Sequence, residues 1–396
     1  MYMAIVFAFN QVVSHGFGLF LFAAVVPFMQ QSTEITFWHI GIAGAATQVA
    51  YLLGASLLGI IGSAVSMRKV SIATGTLAPI ILLFISFLSD PLMIIVALVL
   101  LALSASMSWG AIVEIVSRHA PDNRRSTYLS SASSGTAWGY GIIGLVIIWL
   151  VPILGWEISW RFASVFGLLV LIATILMFKK LGKATSNNEH KVVSVKFSDF
   201  LKGTLIQKRA LLACTLFFFI GITTMPFSTW LNSYIAELKL PMEMAGVSWT
   251  TVGVTGMFAG VILGGFADKY GNSLAILILF LVFGASQIAF NLNPASMLLM
   301  ACIGYGVMYF PVWGVVAGWL NETFDSLSTM RISGFCMLTF GVGGATGNVI
   351  MGLIKENTAS LQLGFSLLSY LSLGMILIAI YISRSILINE NKLFSS

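Results

Sequence analysis

The sequence predicts an all-α membrane protein in which twelve transmembrane helices form two six-helix bundles of the same plan. Three observations support this prediction. Of the 396 residues, 58% are hydrophobic and only 9% are charged, a balance more apolar than a soluble domain needs to fill its core. The apolar residues fall into runs long enough to cross a bilayer as helices. Short motifs of the first half return at matching places in the second half.

Helices are the expected form of these runs, because a bilayer offers the backbone no hydrogen-bonding partner and a helix pairs its own amides. The runs are also too long and too unbroken for the strands of a barrel. Counting about 20 apolar residues for each span, we predict twelve spans. They cover residues 4–29, 38–63, 68–88, 91–117, 126–152, 158–178, 210–236, 245–267, 272–291, 295–320, 329–353 and 361–384.

The distribution of lysine and arginine predicts the orientation. Of the 20 basic residues, only Arg161, Lys239 and Lys355 fall in loops on the predicted outer side. Basic residues collect in cytoplasmic loops, so both termini are expected in the cytoplasm. The polar segment 179–209, which carries eight of the basic residues, is then a cytoplasmic linker.

An internal repeat predicts the domain organisation. The linker 179–209 separates an N-terminal bundle, 1–178, from a C-terminal bundle, 210–396. The tryptophan–glycine pair that begins at Trp109 in the fourth span recurs at Trp313 in the tenth span, 204 residues later. Parallel six-helix repeats of this kind occur in secondary transporters.

Several classes of function are excluded by what the sequence lacks. It has no phosphate-binding loop, nucleophile elbow, zinc-protease motif or dinucleotide fingerprint, so we expect no enzyme, no catalytic residue and no cofactor. Three widely spaced cysteines in apolar runs fit neither a disulfide framework nor a metal site and are expected to be buried packing residues. The basic residues lie in loops and not on a soluble domain, which argues against binding of nucleic acid.

The most specific short motif ends the eighth predicted span. Gly264 is followed after three residues by Asp268, then by the basic residue Lys269, one further residue and Gly271. This order resembles the conserved loop signature of the major facilitator superfamily. The resemblance extends over the whole chain through the twelve spans, the basic central loop and the repeat. It implies a secondary transporter that works by alternating access in the cytoplasmic membrane.

Glycines before this motif predict close helix packing. Gly256, Gly260 and Gly264 recur every four residues, so they share one helix face and are expected to let a neighbouring backbone approach. Gly271 is free to adopt the positive φ that commonly ends a helix.

The resemblance also implies a latch of charged loop residues on the cytoplasmic side, which holds helices together and opens during the cycle. The first-half loop, residues 62–69, has no aspartate equivalent to Asp268, and Glu114 is the acid available there. The expected latch residues are Asp268, Lys269, Gly271, Glu114, Arg118, Arg125 and Arg331.

Two titratable residues inside the predicted spans are candidates for proton coupling. His15 lies in the central part of the first span, on one helix face with Gln11, and histidine can bind and release a proton near neutral pH. Glu114 lies near the inner end of the fourth span. The alternatives are hydrogen-bonded packing or substrate contact for His15, and pairing with loop arginines for Glu114.

The resemblance further implies a cavity lined chiefly by spans 1, 4, 7 and 10. For each residue that the resemblance selects, the alternative to solute contact is a packing role. For Trp230 and Asn232 a further alternative is anchoring at the membrane interface. Thr223 and Trp230 belong to the same wider set. The candidate substrate-binding residues are Gln11, His15, Trp109, Thr224, Asn232, Tyr305, Tyr309 and Trp313.

The residue types in the spans limit the range of solutes that the protein is expected to carry. No lysine or arginine lies in the central part of a span, so a small neutral, zwitterionic or amphipathic organic solute is favoured. We expect a monomer that moves this solute inward, either together with protons or by facilitated diffusion. The alternatives are an exporter of amphipathic compounds or drugs and a non-transporting membrane sensor. The glycine-rich fifth span lacks the Gly-Pro ending usual in drug–proton antiporters of the superfamily, which argues against drug export. The partners expected are the solute, protons and the lipid bilayer.

Overall fold

The computed structural model describes residues 2–61, 64–121, 124–181, 203 and 205–394, with the backbone alone at 125–126, 326–327 and 385–394. Twelve helices in this part of the chain are long and apolar enough to cross a membrane, which confirms the predicted all-α fold and number of spans. They are α1 (Tyr2–Met29), α2 (Phe37–Ile61), α3 (Met67–Ile85), α4 (Pro91–His119), α5 (Thr127–Trp149), α6 (Glu157–Leu181), α7 (Lys208–Glu237), α8 (Glu243–Tyr270), α9 (Asn272–Leu292), α10 (Pro294–Asn321), α11 (Ser328–Thr358) and α12 (Gln362–Arg384).

Local sequence signals explain where several helices begin and end. The Asp90 carboxylate accepts a hydrogen bond of 2.9 Å from the Met93 amide and so caps α4, with proline in the first turn. Gly271 separates α8 from α9 with φ +92°, a backbone conformation that residues with a side chain rarely adopt. The positive φ expected at Gly271 is therefore confirmed.

Helices α1 and α10 each depart from regular α geometry along their length. Residues Val12–Phe20 of α1 form a π-helical segment, and such segments occur often at functional sites. In α10 the regular helix stops at Tyr309 and resumes at Val312. Pro311 lies in this break, since its ring cannot continue the hydrogen-bond ladder of the preceding turn.

The chain divides into two compact units. Unit 1 comprises residues 1–192 and 228–253, and unit 2 comprises residues 193–227 and 254–396. This division differs from the predicted bundles in residues 228–253, the end of α7 and the start of α8, which group with the first half. Contacts of the α7 and α8 ends with α1 and α5, described below, account for the difference.

Glycines allow helix backbones to meet inside unit 1. A Cβ atom placed on Gly16 of α1 would lie 2.6 Å from the Cα of Gly139 in α5, closer than real Cβ contacts. The helix face formed by Gly256, Gly260 and Gly264 does not make the predicted contact with a neighbouring backbone. Gly256 packs against the Phe310 ring, and added Cβ atoms at Gly260 and Gly264 would meet no described atom within 4 Å. The expected backbone approach at these glycines is wrong for this structure, because α8 makes its close contacts nearer its start, where Gly246 meets α5.

Unit 2 brings together α7 and α11. Gly221 and Gly343 each lie against backbone of the other helix, at Phe340 and Phe218 respectively. Cys214 of α7 and Cys336 of α11 are buried free thiols with their sulfur atoms 3.9 Å apart. The third cysteine is also buried. All three are packing residues as expected, and the proximity of two of them was not foreseen.

Candidate functional site

His15 lies at the centre of a polar network in unit 1. Its Nδ1 atom is 3.0 Å from the Ser14 hydroxyl, and its Nε2 atom is 3.0 Å from the hydroxyl of Tyr51 in α2. In a neutral imidazole one ring nitrogen donates and the other accepts, and hydroxyl groups can serve either role. Both ring nitrogens of His15 are therefore satisfied by groups that can also reorganise around a proton.

The π-helical segment of α1 carries this network. It displaces Ser14 and His15 from their regular α-helical register, so that the imidazole reaches Tyr51 of α2 and lies edge-on to Trp109 of α4, with ring centroids 6.5 Å apart. Three helices thus meet at one histidine. Tyr51 was not among the predicted residues. A polar aromatic residue within the second span was the available signal.

Gln11 lies one turn before His15 and is 2% exposed. Its Cβ atom packs against Gly135 of α5, and its Nε2 atom has no hydrogen-bond partner among the described residues. A buried donor without a partner costs about 1–3 kcal/mol. Gln11 therefore keeps an unused donor inside the helical unit.

In unit 2, the candidate residues Tyr305 and Thr224 contact neighbouring groups of the same unit. Tyr305 is fully buried and stacks between Phe227 and Tyr309, with ring centroids 5.2 and 5.0 Å away. The Thr224 hydroxyl donates to the Ile220 carbonyl of its own helix over 2.6 Å. Both side chains are committed to contacts within the unit.

Trp313 and Tyr309 flank the break in α10. Trp313 is half-buried and packs against Phe217 of α7 and Phe340 of α11, with ring centroids 4.5 and 5.2 Å apart. Tyr309 lies 6.5 Å from the same Phe340 ring. The four rings form the aromatic cluster of unit 2, in which Trp313 keeps part of its surface free.

Asn232 has different neighbours from those expected of a cavity or interfacial residue. It is buried within unit 1, where its Nδ2 atom donates to the Ala24 carbonyl of α1 over 2.5 Å and its Oδ1 atom accepts from Trp249 Nε1 over 3.1 Å. The Trp249 ring stacks on Tyr140 of α5 at 4.6 Å. Asn232 therefore joins the ends of α7 and α8 to α1. Its neighbour Trp230 is also buried.

The second-half loop motif lies at the exposed end of α8. Asp268 and Lys269 are both exposed, and the Lys269 ammonium lies 4.9 Å from the Tyr270 ring. No side chain that the structure describes makes an ion pair or hydrogen bond with Asp268. Arg331 opens α11 and is partly buried. Asp268 is therefore available to a partner in another state of the protein.

The first-half latch residues pair within one helix. Glu114 accepts from Arg118 Nε over 2.6 Å, one turn further along α4, and both side chains are well exposed, at 41% and 60%. An exposed pair of this kind contributes at most about 1 kcal/mol. The side chain of Arg125 lies outside the described residues. Glu114 is thus occupied locally and does not link two helices.

Sequence reasoning missed a second charged group at one end of unit 2, where α7, α9 and α10 meet. Glu322 at the end of α10 pairs with Arg209 of α7 over 2.6 Å and accepts from Asn272 of α9 over 3.0 Å. Arg209 also donates to Thr323 and lies 4.6 Å from the Trp319 ring. Glu322 therefore connects three helices, which is the arrangement expected of a latch.

The repeat relates this group to one in unit 1. Arg68 at the start of α3 donates to His119 Nε2 at the end of α4 over 3.0 Å, and His119 Nδ1 lies 2.9 Å from the Ile115 carbonyl. Arg68 and Asn272 are 204 residues apart, the offset that relates Trp109 to Trp313. Each half thus ties the start of its third helix to the end of its fourth, and the repeat offset was the signal that could have revealed these pairs.

The described residues contain no group of three or more histidine, cysteine, aspartate or glutamate side chains that could hold a metal ion. What they offer instead is a set of neutral polar and aromatic side chains within membrane-spanning helices. Such residues can hold a solute by hydrogen bonds and apolar contact, and His15 can bind a proton. The fold and these residues define a multi-pass helical membrane protein of the transporter class.

A comparison with protein families identifies the family to which this class of protein belongs. A family model described as Major Facilitator Superfamily matches residues 8–348. The chain therefore belongs to the major facilitator superfamily, a family of secondary transporters. The resemblance read from the loop motif is confirmed.

Relatives of known function transport different solutes. The chain is 26% identical over 273 residues to the cis,cis-muconate transport protein of Acinetobacter baylyi, a match that covers 63% of this chain and 62% of that relative's length. It is similar in fold to the nucleoside transporter NupG, with a TM-score of 0.71, 14% identity and coverage of 96% of this chain and 98% of the other. A D-xylose-proton symporter gives a TM-score of 0.74 at 14% identity, covering 96% of both chains. At this identity the solved structures show the fold alone.

Proposed function

We propose that the protein imports a small organic solute across the cytoplasmic membrane together with a proton, and that His15 carries the proton. The solute is neutral, zwitterionic or amphipathic. Both termini lie in the cytoplasm, because nearly all loop lysines and arginines are on that side. The bundles 1–178 and 210–396 are the two structural repeats that carry out the transport cycle.

The observation that carries the proposal is the placement of His15 between Ser14 and Tyr51 in a π-helical segment. Polar groups inside a membrane span are costly and are usually retained for function. Glu114 is the other candidate for coupling, but it already pairs with Arg118 at an exposed position. Among the described titratable groups, His15 is therefore the one suited to proton coupling.

Each unit carries a group of residues that we propose as candidates for solute binding. In unit 1 the group consists of His15, Tyr51 and Trp109, with the free amide of Gln11 one turn away. In unit 2 it consists of Tyr309 and Trp313. Both groups combine flat rings with hydrogen-bonding atoms, which suits a partly apolar solute. Neither includes a lysine or arginine.

The relatives define the range of solutes to test. Muconate is a dicarboxylate, whereas nucleosides and xylose are neutral and rich in hydroxyl groups. The two uncharged groups of residues favour the neutral compounds over the dicarboxylate, since a buried carboxylate would need a cationic partner.

The latch is proposed to lie at the inner ends of the helices. Asp268, Lys269 and Gly271 supply it in the second half, and Arg331 follows at the start of α11. Glu114, Arg118 and Arg125 supply the first-half part. The Arg209–Glu322 pair described above is added to this set. Asn232, by contrast, is proposed to stabilise the packing of α7 and α8 on α1 and not to touch the solute.

The experiment is proton uptake by proteoliposomes that contain a pH-sensitive dye. Uridine, D-xylose, cis,cis-muconate, a zwitterionic amino acid and an amphipathic amine are added singly to wild type and to His15→Ala. We expect at least one neutral or zwitterionic compound to trigger proton uptake in wild type, and the response to be absent in His15→Ala. His39→Ala is the matched control, because His39 is a partly buried histidine near the start of α2 that bonds Thr36, and its removal should leave the response intact.

Two results would contradict the proposal. Unchanged proton uptake by His15→Ala would remove His15 from the coupling mechanism. Uptake of a radiolabelled panel compound without any proton movement would identify a facilitator, or a carrier coupled to another ion.

A further inference from the structure

A small polar cavity lies inside unit 1, beside the network of His15. Its polar lining consists of Asn10 and Ser14 of α1, Thr74 of α3 and Ser108 of α4, and apolar residues of α1, α3 and α6 close the remainder. All four polar side chains are buried. Four buried polar residues around one cavity within a membrane-spanning unit carry a free-energy cost that suggests a function.

The size and chemistry of the cavity suit one water molecule. The volume open to the centre of a water molecule is about 10 Å³, close to the minimum of about 10–15 Å³ that a single water requires. Asn10 uses its Nδ2 atom to donate to Val6 and Thr174, both over 2.9 Å, which leaves its carbonyl oxygen as an acceptor. Thr74 donates to the Val70 carbonyl over 3.0 Å, so its oxygen lone pairs can accept. A water therefore finds the two to four polar partners that buried waters have.

Ser14 connects this cavity to the imidazole. It lines the cavity, and its hydroxyl lies 3.0 Å from His15 Nδ1. On the other side of the ring, Tyr51 is the titratable residue that faces His15, through Nε2. The residues that line the cavity include no charged side chain. A proton that leaves His15 through Nδ1 therefore meets a hydroxyl and then the cavity.

We propose that a water molecule occupies this cavity and exchanges protons with His15 through the Ser14 hydroxyl. This inference rests on the proposed proton linkage. When His15 is protonated, its Nδ1 proton passes to Ser14 Oγ while the serine's own hydroxyl proton passes to the water. The products are neutral His15, an unchanged serine and a hydronium ion, so atoms and charge balance.

The position of the cavity assigns a side to this exchange. Asn10, Thr74 and Ser108 each lie in the half of their helix nearer the end that the basic loops place in the cytoplasm. Thr174, which accepts from Asn10, lies in the corresponding half of α6. The cavity water thus serves proton release to the cytoplasm, by a route through the interior of the first bundle.

The test is water-edited solid-state NMR on the full-length protein, labelled with ¹⁵N-histidine and reconstituted in lipid bilayers. His15→Gln identifies the His15 signals. In wild type we expect transfer of magnetisation from water to His15 Nδ1. The transfer should be lost in Thr74→Val and in Ser108→Val, which replace polar lining with methyl groups. Thr76→Val is the matched control, since Thr76 is exposed on the same helix and bonds its own backbone, and the transfer should persist in this variant.

Absence of water transfer to His15 in the wild type would overturn the inference, and so would equal transfer in all four proteins. These results are separate from the transport assay. If no panel compound moves protons in wild type, the proposed proton linkage fails, while the NMR spectra still decide whether the cavity holds a water in exchange with His15. If protons do move, Thr74→Val should slow their uptake and Thr76→Val should not.

Discussion

Individual polar side chains inside the helices show how this protein compensates for burying them in a membrane. Asn10 is bonded to Thr174, and both ring nitrogens of His15 are occupied. Gln11 is one of several exceptions among the described residues, with a buried amide nitrogen that has no described partner. Satisfied groups contribute to a single well-defined arrangement of the helices, whereas an unsatisfied donor is available to a ligand.

Tyr51→Phe tests the hydrogen bond to His15 Nε2. The substitution removes the hydroxyl and leaves the ring in place, so one imidazole nitrogen loses its partner at a cost of about 1–3 kcal/mol. If the bond stabilises the transition state of transport more than the resting state, by about 1.4 kcal/mol, the initial rate of solute-driven proton uptake should fall roughly tenfold. Tyr370→Phe on α12 is the control, because Tyr370 is 63% exposed. A full rate for Tyr51→Phe would show that the bond is structural only.

Asp268→Asn tests the latch at the end of α8. Asp268 is exposed and has no described partner, so neutralising it should leave the protein level in the membrane and its thermal stability unchanged. Cycling should nevertheless be impaired, because the carboxylate is required in the state in which the latch is closed. The measurement is transport rate per inserted protein. Wild-type turnover by a fully inserted Asp268→Asn variant would eliminate this role.

At the level of helices, small irregularities place the functional side chains. The π-helical segment in α1 brings His15 to α2 and α4, and the break before Val312 in α10 positions Trp313 in the aromatic cluster of unit 2. Both helices would still span a membrane if they were regular. Their irregular segments therefore relate to the site and not to membrane insertion.

Gly16→Ala and Gly260→Ala test which glycines hold helices together. Alanine at position 16 places a Cβ atom 2.6 Å from the Gly139 backbone, and overpacking of this kind costs about 1–3 kcal/mol. The apparent melting temperature in detergent should fall by roughly 1–4 °C. Gly260→Ala meets open space and should leave the melting temperature unchanged. Equal effects of the two substitutions would contradict the assigned α1–α5 contact.

On the scale of the whole molecule, the arrangement of charge predicts the orientation in the membrane. Fusions of green fluorescent protein to the C-terminus should fluoresce, and alkaline phosphatase fused after Lys239 should be active, because the distribution of basic residues predicts a cytoplasmic C-terminus and an external loop at Lys239. The reverse pattern would overturn the orientation. Substituting Lys239 by glutamine should not change either result, since orientation follows the summed charge of the loops.

The contact-based units add a feature that charge and hydropathy do not predict. Residues 228–253 group with the first half of the chain, through Asn232 on Ala24 and Trp249 on Tyr140. The sequence assigned this segment to the C-terminal bundle because the chain order places it there. Side-chain contacts follow a different division, in which α7 and α8 each belong to both units.

The candidate site was predictable only in part. His15 and Trp109 were selected from their residue types and depth, and the structure places them within one network. Tyr51, which contacts His15, was not selected, and the selected residues Thr224 and Tyr305 stay predictions, with contacts inside unit 2. Depth in the membrane follows from position along a helix, whereas the direction of a side chain depends on the rotation of that helix against its neighbours.

The sequence by itself determined that the chain lies in a membrane, that it crosses it as twelve helices and that it carries the loop signature of its family. These properties follow from local hydropathy and short motifs, which sum along the chain without reference to distant residues. Only the tertiary structure decided that Tyr51 meets His15, that Arg209 and Asn272 meet Glu322, and that Asn232 is an internal tie. Such contacts join residues far apart in sequence, and they exist only where packed helices bring two faces together.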